Sequence, residues 1–306
     1  MNDGSATSES SALLEPEDMA RLRATLRRVI EVGEDIEPGL AGAVRQVLDA
    51  PGSLWRAQLS WAIGTATGLS RETASRLAAA VESFHNASLL FDDLPAMDDA
   101  ETRRGRQAVH RVHGEAAAIL AGLAFVHRGY GLVLEGLDDL PTADRRAVRR
   151  QLEADLGLAG ILDGQARDLS PGVADDPAAL AAGKTVPLLR LALLLPALVA
   201  GAPADLRARL LGLAEAWGLA YQILDDLGDL VARTDGVGTD AECGRLNLAG
   251  RVGASAAVAR LDLELARAAV DAAEIIRQHP GLEGPLLRLQ RRFVAQRHRF
   301  ALAEAA

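Results

Sequence analysis

The sequence is poor in cysteine, and its one thiol, Cys243, excludes an internal disulfide and a thiolate cluster for zinc. A cytoplasmic setting fits that usage. Aromatic residues make up only 3% of the chain. Few segments alternate with period two, which argues against sheets and for an all-α core of packed aliphatic helices. Long hydrophobic runs are missing too. The longest, Leu191 to Ala202, is shorter than a membrane span needs, contains Pro196, and is expected to be a buried helix. Positive charge is in deficit: 33 basic against 42 acidic residues give a formal charge of −9, which excludes non-specific nucleic-acid binding as a function. An anionic substrate would therefore need metal cations or a local basic cluster. No Pro/Gly/Ser-rich linker and no repeat divide the chain, so one domain over residues 18–306 is expected. The opening "MNDGSATSESSALLEPED" has neither the basic start nor the apolar centre of a signal peptide, and residues 1–17 are expected to form a flexible tail.

What is present is charge of both signs in one place. "FDDLPAMDDAETRRGR", residues 91 to 106, holds four aspartates and then two adjacent arginines and a glycine. Upstream, Leu77, Val81, Phe84 and Ala87/Ser88 recur at the three-to-four spacing of a helix facing a core. His85, Asp92 and Asp93 fall near one stripe of that helix. Pro95 should distort or end it, and a bulge there would bring Asp98 back toward Asp92, from which a regular helix would turn it away.

A second acidic group lies in "GLAYQILDDLGDL". Asp225 and Asp229 are four apart and share a helical face with Gln222. Carboxylates so spaced repel by roughly a few tenths of a kcal/mol. Either cluster alone reads equally as a solvated acidic face. Two clusters embedded in apolar helices call for a cation. Magnesium prefers oxygen ligands and is usually shared between one or two carboxylates and substrate phosphates. Carboxylates on two facing helices would grip such metals from opposite sides, and Arg103 and Arg104 would meet phosphate oxygens with the fixed fork of the guanidinium.

These residues resemble the trans-isoprenyl diphosphate synthase family, which includes farnesyl and geranylgeranyl diphosphate synthases. "DDLPAMDDAETRRG" is similar to its first aspartate-rich motif and paired arginines, and "YQILDDLGD" to its second. "GQARDL" and "GKTVPLL" match intervening blocks in the right order. The resemblance covers roughly residues 40 to 250. It implies a single-domain, isoprenoid-synthase-type helical bundle around a central apolar cavity, acting as a homodimer. It further implies condensation of an allylic diphosphate with isopentenyl diphosphate. Asp92, Asp93, Asp98, Asp225, Asp226 and Asp229 would hold three magnesium ions. Asp92, Asp93, Asp225, Lys184 and Arg103 would be catalytic. Arg103, Lys184 and Gln222 would touch the allylic diphosphate, with Gln165 and Thr185 also binding substrate. Arg56, His85 and Arg104 would serve the isopentenyl diphosphate pocket, and Arg245 stands where a substrate-binding lysine is expected. Ala87, Ser88 and Phe84 would form the floor that limits chain length. In similar enzymes a bulky aromatic at the fifth position before the first aspartate stops growth at C15. Ala87 occupies that position, which favours a C20 product.

The sequence also departs from the family. "PGSLWRAQ" stands where the family has a glycine-glycine-lysine-arginine-x-arginine-proline motif, so Ser53 replaces the lysine, Leu54 replaces the first arginine, and Arg56 remains. The segment "TDGVGTDAECGRLNLAG" is shorter than the family's loop and lacks its first lysine. Two alternatives stay open: a class I terpene cyclase or lyase on the same fold, for which the lost lysine is no handicap, and a non-catalytic subunit of a heteromeric synthase.

Overall fold

A helix of 22 residues, Arg71–Asp92, is the axis of the first half of the protein. The Ser70 hydroxyl accepts from the Thr73 N–H at 3.1 Å and satisfies one of the donors at its start. Leu77, Val81, Phe84 and Ala87 are all buried, as their spacing predicts. The computed structural model describes residues 12–138, 140, 142–169, 177–234 and 252–304. Their backbone contacts divide the chain into two compact units, Met1–Pro141 and Thr142–Ala306, where the sequence suggested one domain.

The first unit runs α1 (Pro16–Arg27), α2 (Pro38–Leu48), α3 (Trp55–Ala66), α4 (Arg71–Asp92), a two-stranded hairpin of β1 (Thr102–Arg103) and β2 (Arg106–Gln107), α5 (Val109–His113) and α6 (Glu115–Gly136). The packing of α4 on α6 rests on two matched seven-residue series. Leu77, Phe84 and Phe91 project from α4 toward Gly136, Gly129 and Gly122 of α6, where a Cβ would come within 3.1, 2.7 and 2.7 Å of the respective side chains. Phe84 also meets the Tyr130 ring edge-on, centroids 5.1 Å apart. Gly129→Ala should therefore cost about 1–3 kcal/mol by overpacking. Urea unfolding measures it, and an unchanged midpoint would mean that Phe84 has somewhere else to go.

The segment expected to be a flexible tail, residues 1–17, is described from residue 12 onward. Leu13 and Leu14 are buried, and both backbone N–H groups donate to Gln58 Oε1, at 2.6 and 3.2 Å. Two leucines in an otherwise small, polar stretch anchor the chain against α3. One helix, α6, is long and apolar enough by length and composition to cross a membrane. Its charged residues interrupt any single apolar string, so reading for uninterrupted runs passes over it. In this structure one face of the helix packs on α4.

The second unit runs α7 (Thr142–Leu156), a π-helical turn (Leu158–Leu162), α8 (Asp163–Leu169), α9 (Pro177–Val199), α10 (Ala204–Thr234), α11 (Ala254–Gln278), a short 3₁₀ turn (Pro280–Leu282) and α12 (Glu283–Glu304). Gly160 in the π turn has φ −105° and ψ −126°. A Cβ there would lie 2.4 Å from the carbonyl oxygens of both Ala154 and Asp155, so only glycine allows this approach. The turn re-aims the chain into α8, which carries Gln165. The apolar run from Leu191 is a buried helix as expected, but it ends at Val199 rather than Ala202, because Gly201 takes φ +67°.

Candidate active site

The aspartate-rich stretch is a turn that folds back on its helix. α4 stops at Asp92, three residues before Pro95, and the Asp98 N–H donates to the Asp92 carbonyl at 2.9 Å. Asp99 N–H reaches the Leu94 carbonyl at 3.1 Å and Ala100 N–H the Asp93 carbonyl at 3.2 Å. A proline disfavours helical geometry at the residue before it, so the chain leaves the helix ahead of Pro95. The expected return of Asp98 to Asp92 is what results.

The two arginines that follow are separated by the hairpin. Arg104 and Gly105 form its two-residue turn with φ of +54° and +74°, a conformation glycine adopts freely and arginine does not. Arg103, on β1, turns to Asp93, with Nε and Nη2 at 2.8 and 2.5 Å from Oδ1. Arg104 instead donates to the Ala50 carbonyl at 2.6 Å and stands 3.9 Å from Glu82. Among the described residues the non-glycine positions with positive φ are Leu54, Asp99 and Arg104, all in the turns of this site. Backbone strain collects at working sites in this way.

Electrostatics tie the aspartates together. Burial pushes the Asp93 carboxyl above the ordinary carboxylate range, against the pull of the Arg103 hydrogen bonds and charge. Burial works against the Arg103 charge. The bond to Asp93 and the charges of Asp93, Asp92 and Asp98 outweigh it and raise its affinity for the proton. One guanidinium thus answers three carboxylates.

A second cluster lies further back along α4. Arg56, on α3, is buried and stacks over the Trp55 ring at 4.4 Å. The His85 Nδ1 is buried with no hydrogen-bond partner. Burial, then the charges of Arg56, Arg104 and Arg103, hold its proton affinity well below the usual histidine value. Sequence reasoning missed Glu82, one turn before His85 and only 2% exposed. Burial raises its carboxyl to about 7, opposed by Arg104 and Arg56. The signal was available: a lone carboxylate in a stretch of helix otherwise fit for a core. Asn86, also missed, is 6% exposed with its Oδ1 unpaired. It lines a cavity of about 40 Å³ with Gln46, Asp93, Arg103, Arg104 and Gln107. The expected floor residue Ala87 is buried, and Ser88 donates to the His85 carbonyl at 2.9 Å.

In the second unit Gln222 lies on α10, which also carries Asp225 and Asp226. Its amide donates to Asp226 Oδ1 at 2.9 Å and accepts from the Thr185 hydroxyl at 2.7 Å. Thr185, Gln222 and Asp226 thus link α9 to α10, with Asp226 buried and Asp225 exposed. Gln165 is placed on α8. The side chains of Lys184 and Asp229, and all of Arg245, lie outside the described residues.

Among the described residues no three His, Cys, Asp or Glu side chains form a ready-made metal cage. Magnesium keeps waters and takes one or two carboxylates plus substrate phosphates. Asp92, Asp93 and Asp98, all close enough to act on Arg103, offer the hard oxygen donors it needs.

A predominantly helical chain that gathers carboxylates and arginines at the end of a core helix has the donors to hold an anion through metal ions and guanidinium groups. Comparison with known proteins gives this class its family. The sequence model of the family described as polyprenyl synthetase matches residues 37–249. The chain is 34% identical over 230 residues to geranylgeranyl diphosphate synthase of Pantoea ananas, covering 72% of this chain and 75% of that protein. It is 37% identical over 225 residues to farnesyl diphosphate synthase of Escherichia coli K12, covering 71% and 73%. The crystal structure of a Helicobacter pylori geranyltransferase complexed with magnesium and isoprenyl diphosphate superposes with a TM-score of 0.78, at 23% identity, over 93% of this chain and 99% of that one. The chain belongs to the polyprenyl synthetase family, the trans-isoprenyl diphosphate synthases, and is a transferase of prenyl groups.

Proposed function

We propose that the protein condenses isopentenyl diphosphate with an allylic diphosphate, with magnesium, to give a short-chain isoprenyl diphosphate, C20 in preference to C15. The observation that carries this reading is the separation of the adjacent arginines. Arg103 stands at the aspartates and Arg104 beside Glu82. Condensation needs two diphosphates held apart, and the hairpin provides a cation for each. Asp92, Asp93 and Asp98 in the first unit, and Asp225, Asp226 and Asp229 in the second, are assigned as magnesium ligands. Arg103, Lys184, Gln165, Thr185 and Gln222 are assigned to the allylic diphosphate, and Arg56, His85, Arg104 and Arg245 to isopentenyl diphosphate.

Bound magnesium would stabilise negative charge developing on the departing pyrophosphate. Arg103 adds donors aimed at the same charge. His85, kept neutral by its surroundings, can offer a hydrogen bond without a competing charge. The allylic C–O bond breaks, the alkene of isopentenyl diphosphate attacks the carbon left electron-poor, and the proton then lost goes to the released pyrophosphate. The described residues supply no separate strong base for that step.

A class I cyclase is the competing reading, favoured by Ser53 standing where the family has a lysine. The deciding experiment incubates the protein and magnesium with C5, C10, C15 and C20 allylic diphosphates, with and without isopentenyl diphosphate. Elongated products that appear only with isopentenyl diphosphate support condensation. Hydrocarbons or alcohols formed without it would establish the cyclase.

Chain length is read from Ala87, one turn before the aspartate pair and 2% exposed. Ala87→Phe would insert a ring that a packed cavity cannot absorb cheaply, so the main product should shorten from C20 to C15 by chromatography. An unchanged product from folded variant would place the floor elsewhere. The reading includes a homodimer. Ala116, Leu120, Leu123, His127, Tyr130 and Leu134 make one exposed stripe on α6. Under an antiparallel two-fold, Leu123 meets His127, Leu120 meets Tyr130 and Ala116 meets Leu134, a self-complementary seam. Sedimentation should give twice the chain mass of 32.2 kDa.

A further inference from the structure

We propose that Glu82 sets the anion affinity of the pocket assigned to isopentenyl diphosphate: its carboxylate offsets one of the two charges of Arg56 and Arg104, and a diphosphate binds there together with a proton that neutralises it. The inference rests on the reading of that pocket given above. Glu82 is 2% exposed, and neither Oε1 nor Oε2 has a hydrogen-bond partner. A buried carboxylate left without hydrogen bonds is costly, and unlike a paired structural carboxylate it returns nothing to the fold, which makes Glu82 a candidate for function. Its nearest charged neighbour is the Arg104 guanidinium at 3.9 Å, and Arg56 acts on it from α3.

The surroundings confine the effect to these groups. On its own helix, His85 is held neutral. α6 meets α4 through Phe84 and Phe91 against glycines, and its Glu135 faces Arg76, six residues back along α4 from Glu82. α1 brings Asp18, which is paired with Arg71 at the start of α4. With Glu82 ionised, the two arginines and the carboxylate sum to one positive charge. With Glu82 protonated they sum to two. A diphosphate therefore favours the protonated form and draws a proton in as it binds. Ser53 sharpens the effect, since the family's lysine would have been a third cation there.

The test is calorimetric titration of the full chain with inorganic pyrophosphate and with isopentenyl diphosphate. EDTA is present, so the aspartates cannot hold either ligand through metal. Titrations at pH 6, 7 and 8, in buffers of different ionisation enthalpy, count the protons taken up. With Glu82 titrating at about 7, its protonated fraction falls roughly ten-fold from pH 6 to pH 8. Wild-type affinity should fall about ten-fold over that range relative to Glu82→Gln, which carries the neutral form throughout. The variant should match wild type at pH 6 and bind more tightly at pH 8. The ligand's own titration is common to both proteins and cancels.

Parallel loss of affinity in the two proteins would overturn the proposal. So would weak binding by the variant at pH 6, which would make Glu82 a scaffold for the arginines, or failure of wild type to bind either ligand at pH 6. Should the variant not fold, the wild-type proton count decides: near zero at pH 8 in excess of the free ligand's own overturns the proposal. Arg104→Ala should remove the coupled binding and so locate it. Coupled binding by a protein that makes no elongated product would leave this proposal standing and reject the condensation reading. Condensation without coupling would do the reverse.

Discussion

Asp92→Ala should abolish nearly all condensation, about a 1000-fold loss in kcat or more, without unfolding the protein. Loss of a carboxylate that helps hold magnesium at the leaving group forfeits several kcal/mol of transition-state stabilisation, and roughly 4 kcal/mol corresponds to three powers of ten. The structure explains why the fold should survive. Asp92 supports the turn through its backbone carbonyl, which accepts from Asp98 N–H, and alanine keeps that carbonyl. Its carboxylate also sits at the C-terminal end of α4, where negative charge is unfavourable against the helix dipole, so the melting temperature should hold or rise. Asp93→Ala is a poorer probe because it strips Arg103 of its buried partner. Turnover against magnesium concentration, read beside the thermal midpoint, checks the expectation. Full activity of Asp92→Ala, or of wild type in excess chelator, would sink the metal assignment.

The helix bearing these aspartates was legible because its core face repeats at three and four residues, and burial of Leu77, Val81 and Phe84 is what that repeat specifies. The return of Asp98 was legible from Pro95, through local chemistry alone. The hairpin was not. Its strands are two residues each, too short for any alternation to show, and the only clue was glycine after the paired arginines. What Gln222 bonds to was equally hidden. Helical spacing places it near both Asp225 and Asp226, and the Thr185 hydroxyl on a separate helix decides in favour of Asp226. Glu82 was passed over because a motif directs attention to its own letters. The physics of a carboxylate inside a core points to it without any motif.

The second large effect lies away from the chemistry. Asp155 on α7 is fully buried, with Gln151 Nε2 2.7 Å from its Oδ2 and Arg190 Nε of α9 bonded to its Oδ1. Burial pushes its carboxyl above the ordinary range, and Gln151 and Arg190 hold it down in part. Arg190→Ala leaves a buried carboxylate with one amide, and breaking such a pair costs about 3–5 kcal/mol. α9 also carries Thr185, so the Thr185–Gln222–Asp226 link loses its footing with it. The pH dependence has a definite sign. A carboxyl whose folded value is raised binds more protons folded than unfolded, so stability is lost as pH climbs from the unfolded value through the folded one. Without Arg190 that rise is larger, so the deficit of Arg190→Ala should be greater at pH 7 than at pH 5, because protonation of Asp155 relieves it as pH falls. Pairing Arg190→Met with Asp155→Leu should recover most of the loss, because apolar replacement of both partners removes the buried charge itself. Urea midpoints of the single and double variants at both pH values measure the cycle, and a double variant no more stable than Arg190→Ala would show that α7 and α9 are held together by the pair rather than by the apolar surface around it.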